Sequence, residues 1–301
     1  MRGVHLIQAA YLVFILVFLL YVGIGLTPDV LFLLLAFAFA LRGSRRAFVR
    51  DFAPFILLLL SYDAMRGVAD DLGGRVHITY PIDADRALFS EVPTLVLQRW
   101  LHDPGVSHWY DYAAVMVYVL HFVVPLIFAA LFWQQNRSVY WRLVLSLVVM
   151  SYAGFITQIL IPTAPPWYAG ETGDLPGVGL PHEAMPRLNA VWLFLSANEV
   201  AAMPSLHAAY PWLLLLFCVR VWGVKGAAFS LYVAGVFFSI VYLGHHYVVD
   251  ILAGLGYATV AYVCCATDVV PNLVRALRRL VAPVEAPDDL APKPVPEREA
   301  A

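Results

Sequence analysis

The sequence predicts an all-α fold, a polytopic membrane helical bundle with about eight transmembrane helices. Three observations predict it. Of the 301 residues, 61% are hydrophobic and only 13% are charged, whereas a soluble domain carries about 25% charged residues. Mean hydropathy is +0.75. Such a chain cannot cover its apolar surface with polar groups and needs lipid as part of its solvent. Eight apolar segments approach the roughly 20 residues that a spanning helix requires. Finally, clustered bases fall in alternate turns between those segments, the asymmetry that fixes orientation in a bilayer.

The segments run in order as follows. The first, Leu6–Leu26, follows Arg2 and has no clear small-residue cleavage site after it, so it reads as a signal anchor. The second and third, Val30–Leu41 and Phe52–Met65, are short; they span as tilted partners or by extending into their flanks. The remaining five are Tyr112–Trp133, Val139–Ile161, Leu206–Val221, Ala227–Leu243 and Val248–Val270. Arg42, Arg45, Arg46 and Arg50 follow the second segment, Arg137 and Arg142 the fourth, Arg220 and Lys225 the sixth, and Arg275, Arg278 and Arg279 the eighth. This side is predicted to be cytoplasmic, with both termini on it. The opposite turns, Thr27–Asp29, Arg66–Asp111, Pro162–Pro204 and Gly244–Tyr247, are then extracytoplasmic. Trp100, Trp109, Tyr110, Trp133, Tyr140, Trp141, Trp167, Tyr168 and Trp222 fall near segment ends, where amphipathic rings meet the headgroups.

Organisation follows from the same pattern. Residues 1–50 form an N-terminal pair of transmembrane helices, 51–272 a membrane core, and 273–301 a disordered cytoplasmic tail rich in Pro and charge. The two long outer loops are functional candidates by their length; the first is predicted to hold a short interfacial helix near Val92–Leu101. Cys218, Cys264 and Cys265 lie in apolar runs without metal-ligand spacing and read as packing residues. A net charge of −2 excludes a broad basic field, so no nucleic acid is expected as a partner.

Histidine carries the chemical signal. Pro204 and Ser205 open the sixth segment, which places His207 in its first turn. His246 stands four residues before Asp250 and is predicted to begin the eighth helix, with Asp250 one turn on along the same face. A lone histidine at such a position is as readily a hydrogen-bonded structural residue as a catalyst. Asp250, however, lies in an otherwise apolar segment, where an ionisable group is costly and points to function. The topology brings both histidines and the carboxylate to one membrane depth, on the outer side. A transporter or proton relay could use the same His/Asp set, but it predicts charges near the midplane and broken helices repeated in two halves, and neither is evident. A metal site on these three residues is a further chemical alternative. His121, deep in the fourth segment, reads as a helix–helix hydrogen bonder, and His245 as a residue lining the site from another face.

The run Pro204-Ser205-Leu206-His207, followed by His246 and Asp250, resembles the last two motifs of the type 2 phosphatidic acid phosphatase superfamily. Pro165-Pro166-Trp167-Tyr168, the run from Ala202 to Ala208 and His245-His246-Tyr247 resemble its inositol phosphorylceramide synthase-like branch more closely. The resemblance spans the third to the eighth segment and implies a six-helix phosphatase-like core. It implies His246 as a nucleophile that becomes a phosphohistidine, His207 as general acid, and Asp250 as the acceptor that fixes the His246 tautomer. Ser205 would hydrogen-bond a phosphate oxygen. No metal or other cofactor is implied, because protein donors would stabilise the phosphoryl oxygens. The implied substrate is a membrane lipid phosphate or phosphodiester, and the acceptor is water, an inositol or another alcohol.

The sequence departs from the phosphatase pattern in two places. No Lys followed by six residues and Arg-Pro is present, and Ile240 stands where an Arg would precede the nucleophile by six. These departures point away from simple phosphatidic acid hydrolysis. Phosphate still calls for a guanidinium. Arg187, in the loop that also holds Pro165-Pro166-Trp167, is the first candidate. Arg66 is the second, with an ion pair to Asp63 or Asp70 as its structural alternative.

Overall fold

In a computed structural model, residues 50–52, 76–181, 185, 201–269 and 272 are described. The first two apolar segments, nearly all of the third, Arg66, Arg187 and the tail from 273 lie outside the described residues. Nine helices follow in order among those described: α1 Thr79–Phe89, α2 Pro93–Leu101, α3 Trp109–Gln135, α4 Arg137–Leu160, α5 Pro166–Thr172, α6 Leu206–Trp222, α7 Val224–Ala227, α8 Ser230–Tyr242 and α9 Val248–Ala266. The described residues hold helices and a few isolated bridges, with no extended strand.

Three stretches are long and apolar enough to cross a membrane: α4, α7 with α8, and α9. The two halves of α3 make a fourth if they form one bent span, and α6 is a shorter apolar helix. The chain is therefore an all-helical, multi-pass membrane protein. Helix α3 bends by 46° between Trp109–His121 and Val123–Gln135. Pro125 accounts for the bend: it lacks the N–H that would bond the His121 carbonyl, and its ring crowds that turn.

Helix α9 packs against α4 and α6, and α8 lies along α3. Gly254 permits the closest of these approaches. A β-carbon there would stand 2.3 Å from the Ser205 carbonyl oxygen, so only glycine lets α9 meet the turn that opens α6. At the far end, the Arg142 guanidinium donates to the Ala266 carbonyl at 2.6 Å and closes the C-terminus of α9.

The long outer loop contains more order than the sequence suggested. The interfacial helix predicted near Val92–Leu101 is α2, opened by Pro93 at its first position. Helix α1 before it and α5 after Pro165 were not anticipated; both are short and carry weak apolar periodicity. Trp100 and Trp109 are largely exposed, as interfacial rings should be. Trp133 and Tyr140 are not: both are buried, and both bond to Asp51, which explains their placement better than a headgroup boundary does.

Candidate active site

The segment Ala201–Ser205 is held from three sides before α6 begins. The Ala202 amide donates to the Thr163 carbonyl at 3.0 Å. The buried side-chain amide of Gln158 on α4 donates to the carbonyls of Ala201 and Pro204 at 3.2 and 3.1 Å. The Ser205 amide donates to the Asp250 carbonyl at 3.0 Å. Ser205 is the N-cap of α6: its hydroxyl accepts from the Ala208 amide at 3.3 Å, and its side chain is fully buried. His207 is consequently fixed in the first turn of α6, where the sequence placed it.

The turn between α8 and α9 is held as firmly. Gly244 takes a positive φ of 80°, and its carbonyl accepts from the Trp167 amide at 3.0 Å. The amides of His245 and His246 both donate to the Ile240 carbonyl, at 2.9 and 3.1 Å. His246 is therefore not on a helix, contrary to the sequence expectation. It lies in the turn, with Tyr247 as N-cap and Val248 as the first helical residue. Its relation to Asp250 arises differently. The Asp250 carboxylate folds back to accept the Tyr247 amide at 2.9 Å, a carboxylate at the third helical position closing the N-terminus of α9.

Asp85 on α1 does a related job from far away in sequence. Its two oxygens accept the amides of Val248 and Val249, at 3.0 and 2.9 Å, so a residue of the outer loop caps the helix that carries Asp250. Burial pushes the Asp85 carboxyl up from its ordinary value and nearby Asp250 adds to the rise, while the two amides oppose it. Sequence reading missed Asp85, because a cap contributed from some 160 residues away leaves no local pattern.

These constraints bring together His207, His246 and Asp250. Nδ1 of His207 is 2.8 Å from Nε2 of His246. Nδ1 of His246 is 3.5 Å from Oδ2 of Asp250, long for a hydrogen bond but within ion-pair range. His246 and Asp250 are both buried, and neither Nδ1 of His246 nor Oδ1 of Asp250 has a hydrogen-bond partner. On its other side His207 meets α3: Nε2 is 2.8 Å from the Tyr118 hydroxyl, and the two rings stack at 4.9 Å. His121 lies edge-on to His207 at 4.4 Å and bonds through Nδ1 to the Tyr118 carbonyl at 2.5 Å. His121 is thus a neighbour of the cluster, with Nδ1 bonded to a carbonyl of its own helix. His245 is buried with its ring 5.4 Å from Tyr118. Tyr118 gave no sequence signal, since a tyrosine in an apolar run reads as core.

Comparison with known proteins identifies the family. Residues 82–264 match the family model described as the PAP2 superfamily. The chain is 30% identical over 225 residues to a phosphoinositol dihydroceramide synthase of Bacteroides thetaiotaomicron, an alignment covering 69% of this chain and 73% of that protein. It is 29% identical over 136 residues to the inositol phosphorylceramide synthase catalytic subunit of Schizosaccharomyces pombe and 30% identical over 120 residues to that of Saccharomyces cerevisiae. Those alignments cover 41% and 35% of this chain, and about a third of each yeast protein. No solved structure matches the chain at a significant level. The matched span contains Asp85, Tyr118, His207, His246 and Asp250 together, and the chain belongs to the PAP2 superfamily, in its inositol phosphorylceramide synthase-like branch, as a membrane phosphotransferase or phosphatase of lipid phosphates.

Proposed function

We propose that this protein transfers a phosphoinositol headgroup between lipids through a phosphohistidine intermediate on His246. The direct contact between His207 Nδ1 and His246 Nε2, with Asp250 behind His246, is the observation that carries the reading. Asp250 accepts from Nδ1–H of His246 and leaves the Nε2 lone pair to attack phosphorus. The P–O bond to the donor lipid breaks, and His207 gives its proton to the leaving alkoxide, which departs as an alcohol. The phosphoinositol group remains on His246. An acceptor hydroxyl then loses its proton to His207 and attacks phosphorus, breaking the P–N bond and restoring both histidines.

At 2.8 Å the two rings are in direct hydrogen-bond contact, and in the reaction the donor phosphate takes the place of that bond. Arg187 serves as the guanidinium clamp; Met185, two residues before it, is buried in the cluster that holds Ala208 and Ile240. Arg66 is the second candidate. Ser205 positions His207 as N-cap and donates to a phosphate oxygen only if the turn opens. The site faces the extracytoplasmic side, the termini are cytoplasmic, and the bundle comprises eight spans, with residues 51–272 as a six-helix core behind an N-terminal pair. The reaction proceeds without metal.

The test is an assay of the purified full chain in mixed micelles, with phosphatidylinositol labelled in the inositol ring and a dihydroceramide acceptor, in EDTA. Label is expected in a sphingolipid product, dependent on the acceptor. Release of label only as soluble inositol phosphate would make the enzyme a hydrolase, and turnover abolished by EDTA would reject the metal-independent mechanism.

A further inference from the structure

We propose that Tyr118 is the positioning residue of His207, holding its remote ring nitrogen much as Asp250 holds that of His246. The inference rests on the reading of His207 as general acid and base. The four groups form one chain: Asp250, His246, His207 and Tyr118, joined at 3.5, 2.8 and 2.8 Å. Hydrogens are assigned outward from Asp250, because a carboxylate 3.5 Å from Nδ1 of His246 favours a proton on that nitrogen by charge, even with no hydrogen bond formed. His246 then carries its proton on Nδ1 and presents a lone pair at Nε2. That lone pair requires a proton on Nδ1 of His207; in the imidazolium form that acts as acid, Nε2 carries a proton too and donates it to the Tyr118 hydroxyl oxygen.

The assignment makes Nδ1 the working nitrogen of His207 and Nε2 the anchored one. It also explains why a hydroxyl stands here rather than a second carboxylate. His207 must pass between a protonated form, which gives a proton to the leaving alkoxide, and a neutral form, which takes one from the acceptor. In both forms Nε2–H donates to the Tyr118 hydroxyl oxygen: loss of the Nδ1 proton to the alkoxide leaves a neutral His207 whose Nδ1 lone pair is free to take the acceptor's proton. A carboxylate in place of the neutral hydroxyl would hold His207 charged and oppose release of that proton. The Tyr118 side chain is buried at 2% exposure, so water does not readily substitute for it. Among the described residues, the other ionisable groups near His207 make different contacts: His121 presents its ring edge and bonds a carbonyl of its own helix through Nδ1, His245 lies against Tyr118, and Asp250 faces His246. The Pro125 bend places this turn of α3 against the start of α6, where the Tyr118 and His207 rings stack.

A leaving-group comparison separates this role from a packing role. The initial cleavage that forms the His246 adduct, before any acceptor reacts, is followed with the full chain in micelles on two donors: phosphatidylinositol, whose alkoxide must be protonated as it leaves, and the 4-nitrophenyl ester of inositol phosphate, whose phenolate leaves unaided. Tyr118→Phe keeps the stacked ring and removes only the hydroxyl. It is expected to slow phosphatidylinositol cleavage by about 10- to 100-fold and the nitrophenyl ester by less than about 3-fold, a split proper to lost acid catalysis. Fluorotyrosine at position 118 keeps shape and hydroxyl but lowers its pKa, and is expected to give a smaller loss confined to phosphatidylinositol. Equal losses on both esters, or no loss on either, overturn the proposal. His207→Ala is run alongside. If it too loses both esters equally, the assignment of His207 as acid is what has failed; if His207→Ala shows the split and Tyr118→Phe does not, Tyr118 alone is excluded.

Discussion

Asp51 and Asp250 are buried carboxylates at opposite ends of the same bundle, and they are treated in opposite ways. Asp51, next to the turn between α3 and α4, is saturated. It accepts from the Trp133 indole at 2.8 Å, pairs with Arg137 at 2.7 Å and with Arg50 at 3.0 Å. Its backbone carbonyl takes the Tyr140 hydroxyl at 2.7 Å, and Arg137 also lies over the Trp133 ring. Asp250 has no cation of its own. One oxygen accepts a backbone amide and faces His246 at 3.5 Å; the other has no partner. A buried carboxylate with both oxygens engaged by charge-assisted partners is a structural pin. One with an oxygen left without a partner keeps unused hydrogen-bonding capacity. The contrast separates an end held by ion pairs from the end that holds the proposed site.

The other two buried carboxylates among the described residues fit between these extremes. Asp111 accepts the His108 amide at 2.7 Å and the Tyr242 hydroxyl, tying the start of α3 to the end of α8. Asp85 accepts two amides of α9. Both are engaged through helix ends rather than through cations, and both hold elements of the site end in register.

Substitution should sharpen the comparison. The largest effect is expected at Asp250. Asp250→Asn keeps the size and, with its oxygen at the Oδ2 position, the contact with the Tyr247 amide, but removes the negative charge that faces Nδ1 of His246 and makes Nε2 basic. Turnover should fall by about 10²- to 10⁴-fold with little change in detergent-phase melting temperature. A melting temperature that collapses along with activity would make Asp250 another pin. The smaller effect is expected at Asp51. Asp51→Asn should lower stability by about 1–3 kcal/mol, through loss of charge-assisted bonds to Trp133 and Arg137. Turnover of the folded fraction should stay within about 2-fold. Selective loss of turnover in Asp51→Asn, without loss of stability, would erase the distinction between the two ends.

The sequence revealed the site's membership sooner than its construction. His207 was legible because Pro204 and Ser205 announce a helix start, and Asp250 because a carboxylate in an apolar run demands a reason. The last five apolar segments coincide with helices to within a few residues, and three or four of them are long and apolar enough to span. What escaped was whatever depends on distant partners. His246 was placed on a helix because a spacing of four suggests one turn, whereas the Ile240 carbonyl holds it in the preceding turn. Trp133 and Tyr140 looked like interfacial rings because their link to Asp51 crosses more than 80 residues. Tyr118 and Asp85 carried no local pattern at all: one is a tyrosine among apolar residues, the other an acid in a loop, and each acquires a role only when α3 and α1 are docked.

The central claim is that His246 carries the headgroup covalently. The full chain is incubated with phosphatidylinositol in the absence of acceptor, quenched rapidly, digested and analysed by mass. A phosphoinositol adduct is predicted on the peptide containing His246, discharged when dihydroceramide is added before the quench and missing in His246→Ala. Sustained turnover with no adduct, or an adduct on any residue other than His246, would contradict it.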